Sequence, residues 1–282
     1  MGSRYFIFLT FKGTRYHGWQ IQPGAVTVQK IIDEAVTVIT GEKTSTTGAG
    51  RTDSGVHARF FCAHFDSSQS DLDSRKNLVY RINRYLPSDV SVTGIRRVRP
   101  DANARYSASA RTYEYHISLL KDPFLTDTAW HLHGDPDIVS MNLASRLLLS
   151  CNDFTSFCRL HSDNRTNICR VYHAYWKKEA GKLIFSIKAD RFLRNMVRAI
   201  VGTLAEVGKG KLSVSGFKEI IDARNRSAAG TSAPAKGLFL TGIEYPEEIF
   251  LPATVPEGGD RVFFNRKELK EGAKNAKIKR SN

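Results

Sequence analysis

Cysteine is scarce in this chain. Four residues (Cys62, Cys151, Cys158, Cys169) in 282 are too few to staple a fold of this length, so reduced thiols and a core held by apolar burial are expected. Cys158 and His161 make a C-x-x-H pair, but Cys151 and Cys169 flank it at poor spacing for zinc. Buried cysteines beside a loop histidine explain the pattern more simply, and no metal is expected. Long apolar runs are missing too. No segment approaches the roughly 20 apolar residues that span a bilayer. The apolar stretch Tyr5 to Phe11 alternates and ends at Lys12 without a small-residue cleavage site, so it reads as a strand rather than a signal peptide. Cytoplasm is the expected compartment, with no membrane partner. Acidic residues are in deficit: 28 Asp and Glu stand against 42 Lys and Arg, net +14. That imbalance points to a polyanionic partner. A membrane binder would need an amphipathic basic helix, which the chain does not show, whereas arginines interleaved with aromatics (Arg96, Arg97, Arg99, Arg105, Tyr106, Arg111, Tyr113, Tyr115) favour nucleic acid.

The patterning alternates between strand and helix. A strand from Arg4 to Phe11 leads through Y-H-G-W-Q-I-Q-P (Tyr16 to Pro23) to a helix that Thr27 can cap and Gly41 can stop. Next come a glycine-rich loop, a strand over Ala58 to Phe65, a helix over Ser74 to Leu86 and a strand over Val90 to Val98. A second unit opens at Arg111 with Tyr113, Tyr115, Ile117 and Leu119 alternating. It continues with a helix over Ile138 to Leu149 and a hairpin of Ile168 to Lys177 with Leu183 to Ala189. The strongest apolar stripe predicts a helix over Phe192 to Val207, with Arg194 and Arg198 sharing one flank. A helix near Phe217 to Ala223, a small-residue loop and a strand over Leu238 to Tyr245 follow. Arg266 to Asn282 carries seven basic and two acidic residues and reads as a basic tail or a marginal helix. Hairpin-linked strands mixed with helices indicate an α+β protein, two similar halves sharing a largely antiparallel sheet. The expected division is 1–105, 106–250 and a tail over 251–282.

The glycine-rich loop is the segment most suggestive of chemistry. Gly48 to Ala58 reads G-A-G-R-T-D-S-G-V-H-A and holds one carboxylate, Asp53, close to Arg51 and His57. Glycines on both sides permit positive φ and close approach of a ligand. By itself the stretch is equally an ordinary Asx turn. His57 is expected to support the loop rather than transfer protons, and His131 and His133 have no inferred role.

Seven blocks then occur together: Y-H-G-W-Q-I-Q, T-V-Q at Thr27, G-R-T-D-x-G-V-H, S-A-x-x-R-T-Y-E-Y ending at Tyr115, D-F-T-S-F at Asp153, F-L-R-N-M-V-R at Phe192 and A-P-A-K-G-L at Ala233. With these blocks in this order the chain resembles the tRNA pseudouridine synthase A family from Arg4 to Pro246. The resemblance implies an eight-stranded mixed sheet flanked by helices with a catalytic cleft between the halves, the pseudouridine synthase fold. It also implies conversion of uridine to pseudouridine at positions 38, 39 and 40 of the tRNA anticodon stem-loop, a homodimer, and no cofactor or metal. On it, Asp53 is the nucleophile, Arg198 the cation paired with that carboxylate, and Tyr113 the ring that stacks on the target base. Arg51 is the arginine associated with nucleotide flipping, and Leu238 with the Ala233 to Gly237 loop closes the pocket. Ser54 stands where many relatives have Ala, and the tail beyond Pro252 aligns with nothing.

The chemistry suits these residue types. Moving the bond at C1′ from N1 to C5 of uracil oxidises nothing and carries no group, so no cofactor is called for. A carboxylate can attack the sugar carbon or take the 2′ proton, and either route requires it ionised, a state an adjacent arginine favours. The detached base needs an aromatic platform and apolar walls, and a stacked uridine must first be extruded. Without the resemblance, Arg198 reads first as a structural ion pair or a snorkelling side chain at the core edge, Tyr113 also as a packed strand tyrosine and Arg51 also as a plain phosphate contact. Two other classes remain open: an RNA-binding or tRNA-folding module with incidental chemistry, and a nucleoside hydrolase or glycosidase, which would usually need a second carboxylate.

Overall fold

The computed structural model describes residues 2–159, 165–179 and 181–252. His161 and the basic tail from 253 onward lie outside them. The strands are β1 (Ser3–Phe11), β2 (Thr47–Gly48), β3 (His57–Ser67), β4 (Val90–Val98), β5 (Ala110–Ser118), β6 (Trp130–His131), β7 (Val171–Glu179), β8 (Lys182–Ala189) and β9 (Leu238–Glu244). The helices are α1 (Val28–Thr40), α2 (Leu78–Tyr85), α3 (Ile138–Leu147), α4 (Met196–Gly208) and α5 (Val214–Ala223). Among the described residues all nine strands belong to one sheet of order β4-β1-β3-β9-β5-β8-β7, with the two-residue β2 paired to β3 and β6 to β5. Pairing is antiparallel except for β3 with β9 and β5 with β6. The protein is thus α+β, with a mixed and mostly antiparallel sheet flanked by helices.

Two cores lie along this sheet. In the first, Tyr5, Ile7 and Leu9 of β1 meet Val28, Ile32 and Val36 of α1 and Leu78 and Ile82 of α2. In the second, Tyr115, Ile117, Leu183 and Phe185 meet Met141 and Ala144 of α3, Ile200, Val201 and Leu204 of α4, and Phe217 of α5. β9, last in sequence, sits between β3 and β5 and joins the halves. Its parallel register with β3 pairs His57 with Phe239 and Ala58 with Leu240. Tyr113 packs against both cores and therefore stands at their seam.

Several boundaries follow local chemistry. Thr27 caps α1, its hydroxyl accepting from the Lys30 N–H, and the left-handed Gly41 ends it. α2 begins at Leu78 rather than near Ser74, because Asp71 to Asn77 folds into turns and Asn77 takes the left-handed conformation at φ 64°. α4 likewise begins at Met196 and not at Phe192. Asn195 is left-handed at φ 67°, which detaches the first four residues of the expected helix and places Arg194 outside the helix that carries Arg198. β7 starts at Val171; Ile168 makes only an isolated bridge to Asp153. No helix among the described residues is long and apolar enough to cross a membrane.

Candidate active site

A cleft of about 2190 Å³ opens between the two halves. A small-molecule pocket is roughly 300–1,000 Å³, so this one suits part of a macromolecule better than a free metabolite. Its lining includes Arg51, Arg105, Arg159, Arg191, Arg194 and Arg226, whereas the only carboxylates there among the described residues are Asp53 and Asp190. Asp190 is committed to the backbone, accepting from the N–H groups of Arg170 and Arg191. That leaves Asp53 as the carboxylate open to chemistry in a cationic cleft.

Asp53 lies between β2 and β3, in a turn braced from behind by the Gly13 to Trp19 segment. The Trp19 N–H donates to the Thr52 carbonyl at 3.4 Å, the Gly55 N–H to the Tyr16 carbonyl at 3.3 Å, and the Ser54 hydroxyl to the same carbonyl at 3.2 Å. Two glycines are needed for this packing. Gly18, at φ 83°, lies so close that a Cβ would come within 2.2 Å of the Thr52 oxygen, and Gly55 turns the chain at φ 78°. His57 closes the arrangement. Its Nδ1 accepts from the Gly13 N–H at 3.0 Å, so its proton sits on Nε2, which faces the carbonyls of Asp127 and Lys236 at 3.0 Å each. Burial lowers the pKa of this ring below its ordinary value. Fully engaged with backbone, His57 ties the loop in place.

From the opposite wall Arg198, on the first turn of α4, reaches Asp53: Nη1 donates to Oδ2 at 3.1 Å. Its Nε donates to the Ala233 carbonyl at 2.7 Å, and the Ala233 N–H donates to the Arg198 carbonyl at 2.9 Å. One guanidinium is thereby held at two points, which fixes the direction of the fork. The loop providing that carbonyl is itself anchored. The Tyr115 hydroxyl donates to Pro234 O at 2.7 Å, Asn195 Nδ2 to the Ser232 hydroxyl at 2.6 Å, and Arg226 to Ser232 and Gly230.

Tyr113 and Leu238 also line the cleft. The Tyr113 ring meets Phe192 edge-on, with centroids 5.0 Å apart. Burial pushes its hydroxyl up to about 12, Arg111 opposing and Asp53 adding to the rise. Near neutral pH the phenol is therefore protonated, which suits a platform and hydrogen-bond donor better than a base. Leu238 is buried and pairs with Tyr115 across the sheet. Arg51 is exposed on the cleft wall. All five residues expected at the site therefore lie on one cleft. The loop support given by His57 is as the sequence leads one to expect, whereas the backbone acceptor of Arg198 and the edge-on contact of Phe192 with Tyr113 have no counterpart in the sequence reading. The apolar stripe places Phe192 in a helix, whereas the left-handed Asn195 sets it in the turn before α4, where its ring can meet Tyr113.

Comparison with known proteins agrees with this geometry. A family model described as tRNA pseudouridine synthase matches residues 144–246. The tRNA pseudouridine synthase A of Bacteroides fragilis is 51% identical over 249 residues, covering 88% of this chain and 98% of that protein. Its counterpart in Bacteroides thetaiotaomicron is 48% identical over 269 residues, 92% and 99% of the two chains, and that of Porphyromonas gingivalis 46% over 251 residues, 88% and 100%. With a single open carboxylate facing an arginine in a basic cleft, and relatives this similar along nearly their whole length, the chain belongs to the tRNA pseudouridine synthase A family.

Proposed function

We propose that the protein isomerises uridine to pseudouridine at positions 38, 39 and 40 of the tRNA anticodon stem-loop, with Asp53 as the reacting carboxylate. The observation that carries this reading is the Asp53 to Arg198 contact, 3.1 Å, within an arginine-lined cleft. Asp53 attacks C1′ of an extruded uridine, or takes the 2′ proton and lets uracil depart; the base then rejoins through C5, which gives up its proton while N1 takes one up, so the composition is unchanged. Arg198 orients the carboxylate and balances its charge. Tyr113 stacks on the uracil while it turns, Leu238 and the Ala233 to Gly237 loop wall off water, and Arg51 fills the space the nucleotide leaves or holds its phosphates. The halves 1–105 and 106–250 each bring one side of the cleft, and the tail 251–282 adds positive charge. The working form is a homodimer in the cytoplasm, where the tRNA is found.

The test is to treat unmodified tRNA with the purified protein and map pseudouridine, beside Asp53→Ala. Product in the anticodon arm from the wild type, and a loss of about 10⁴-fold or more in the variant with RNA affinity retained, is the expected result. An anticodon arm without pseudouridine refutes the substrate, and released uracil would mean hydrolysis instead. RNA binding without any product would leave a binding module.

A further inference from the structure

Of the large apolar side chains left exposed among the described residues, two line the cleft, Ile21 and Tyr106, and only Tyr106 carries a ring. Tyr106 is 78% exposed. Its backbone, by contrast, is firmly held. Asn103 Oδ1 accepts from the N–H groups of Arg105 at 2.9 Å and Tyr106 at 3.1 Å, and the Ser107 hydroxyl accepts from the Asn103 N–H at 2.9 Å. The Ala104 N–H donates to His64 Nδ1 at 3.1 Å while its carbonyl accepts from the Tyr245 hydroxyl at 2.6 Å. Arg111 donates to the Arg105 carbonyl and, at 2.8 Å, to that of Asp190, tying the turn to the end of β8. The turn is pinned from several sides, yet the ring it presents packs into no core. Its recorded ring contact is with the Arg105 guanidinium, 5.4 Å from the centroid.

A solvated ring on a preorganised turn, beside a cation and at the rim of a basic cleft, is the arrangement that stacks on an unpaired base. Tyr113 occupies the seam where the extruded uracil is placed, so the rim ring is available to another nucleotide. We infer that Tyr106 is a stacking platform for a nucleobase adjacent to the extruded uridine, a substrate-binding residue separate from the catalytic group. The inference rests on the RNA-isomerase reading above. Because the ring acts on the bound strand before and after base departure alike, its contribution appears as uniform binding rather than as rate.

The experiment measures steady-state kinetics of Tyr106→Ala and Tyr106→Phe on an unmodified tRNA transcript, with binding followed across salt concentration. The expected result is a KM raised about tenfold in Tyr106→Ala with kcat changed by less than about twofold. Tyr106→Phe keeps the ring and restores KM. The dependence of log Kd on log salt keeps its wild-type slope in both variants, since a ring neutralises no phosphate. An unchanged KM in Tyr106→Ala, an equal loss in Tyr106→Phe, or a flattened salt slope overturns the inference. If the wild-type chain yields no pseudouridine both readings fall; if it does and KM is unmoved, only this one does.

Discussion

The two walls of the cleft are built by different means. The Asp53 wall is mainly a backbone construction: its turn is held against the Gly13 to Trp19 segment largely by main-chain donors and carbonyls, and by the absence of a side chain at Gly18. The Arg198 wall is a side-chain construction, in which Arg198, Asn195 and Tyr115 hold a small-residue loop to α4 and β5 while Arg226 braces that loop from within. The acid is thus presented by main-chain geometry, and the cation is aimed by specific donors. Changes of side-chain chemistry should therefore injure the second wall, and added bulk or backbone strain the first.

The largest effect that tests this contrast belongs to Arg198→Lys. An ammonium cannot donate to Ala233 O and to Asp53 with the fixed angles of a guanidinium, so kcat in single-turnover assays should fall about 10²-fold with tRNA affinity little changed. A rate near wild type would show that charge alone suffices and that the aim is irrelevant. Next is Gly18→Ala. Its methyl group would meet the Thr52 oxygen at 2.2 Å on a residue at φ 83°, a clash only main-chain displacement relieves. Urea unfolding should register a loss of about 2–4 kcal/mol. Gly24→Ala is the control: it has φ 70° but nothing within 4 Å, and should cost only the conformational strain, about 1–2 kcal/mol. Equal losses at the two positions would remove the argument for close packing behind the acid.

The smallest effect concerns His57. Its folded-state pKa is lowered by burial, so below the ordinary histidine value of about 6.5 the unfolded chain binds a proton that the folded chain refuses. Stability is then full above that pH and declines as pH falls beneath it. His64 and His173 are shifted the same way, so the wild type alone does not isolate His57. The difference in urea midpoint between pH 7.5 and 5 should be smaller in His57→Gln, and an unchanged difference would mean that the loop latch does not titrate.

Much of the fold was legible because local signals were unambiguous. Thr27 and Gly41 bracket α1 as capping chemistry dictates, and β4 runs over Val90–Val98 as its alternation implies. The misplaced helix starts share a cause. Asn77 and Asn195 both take a left-handed conformation, which interrupts a helical pattern without the glycine or proline that would advertise it. At the site, Asp53 could be singled out because it is the one carboxylate of a glycine-punctuated loop whose motif carries the family resemblance. The acceptor that aims Arg198 had no sequence signal, since any residue offers a carbonyl and the one used is 35 positions away.

By itself, the sequence determined the alternation of strands and helices, the basic surface, the acid loop and the order of its motif blocks, because each is a matter of residue type and spacing along the chain. The meeting of Asp53 with Arg198 across 145 positions belongs to the tertiary structure, in which β9, the last strand in sequence, lies between β3 and β5 and joins the two halves. Which strands a given strand pairs with depends on the edges that distant segments present to it, and that is a property of the assembled sheet rather than of any local segment.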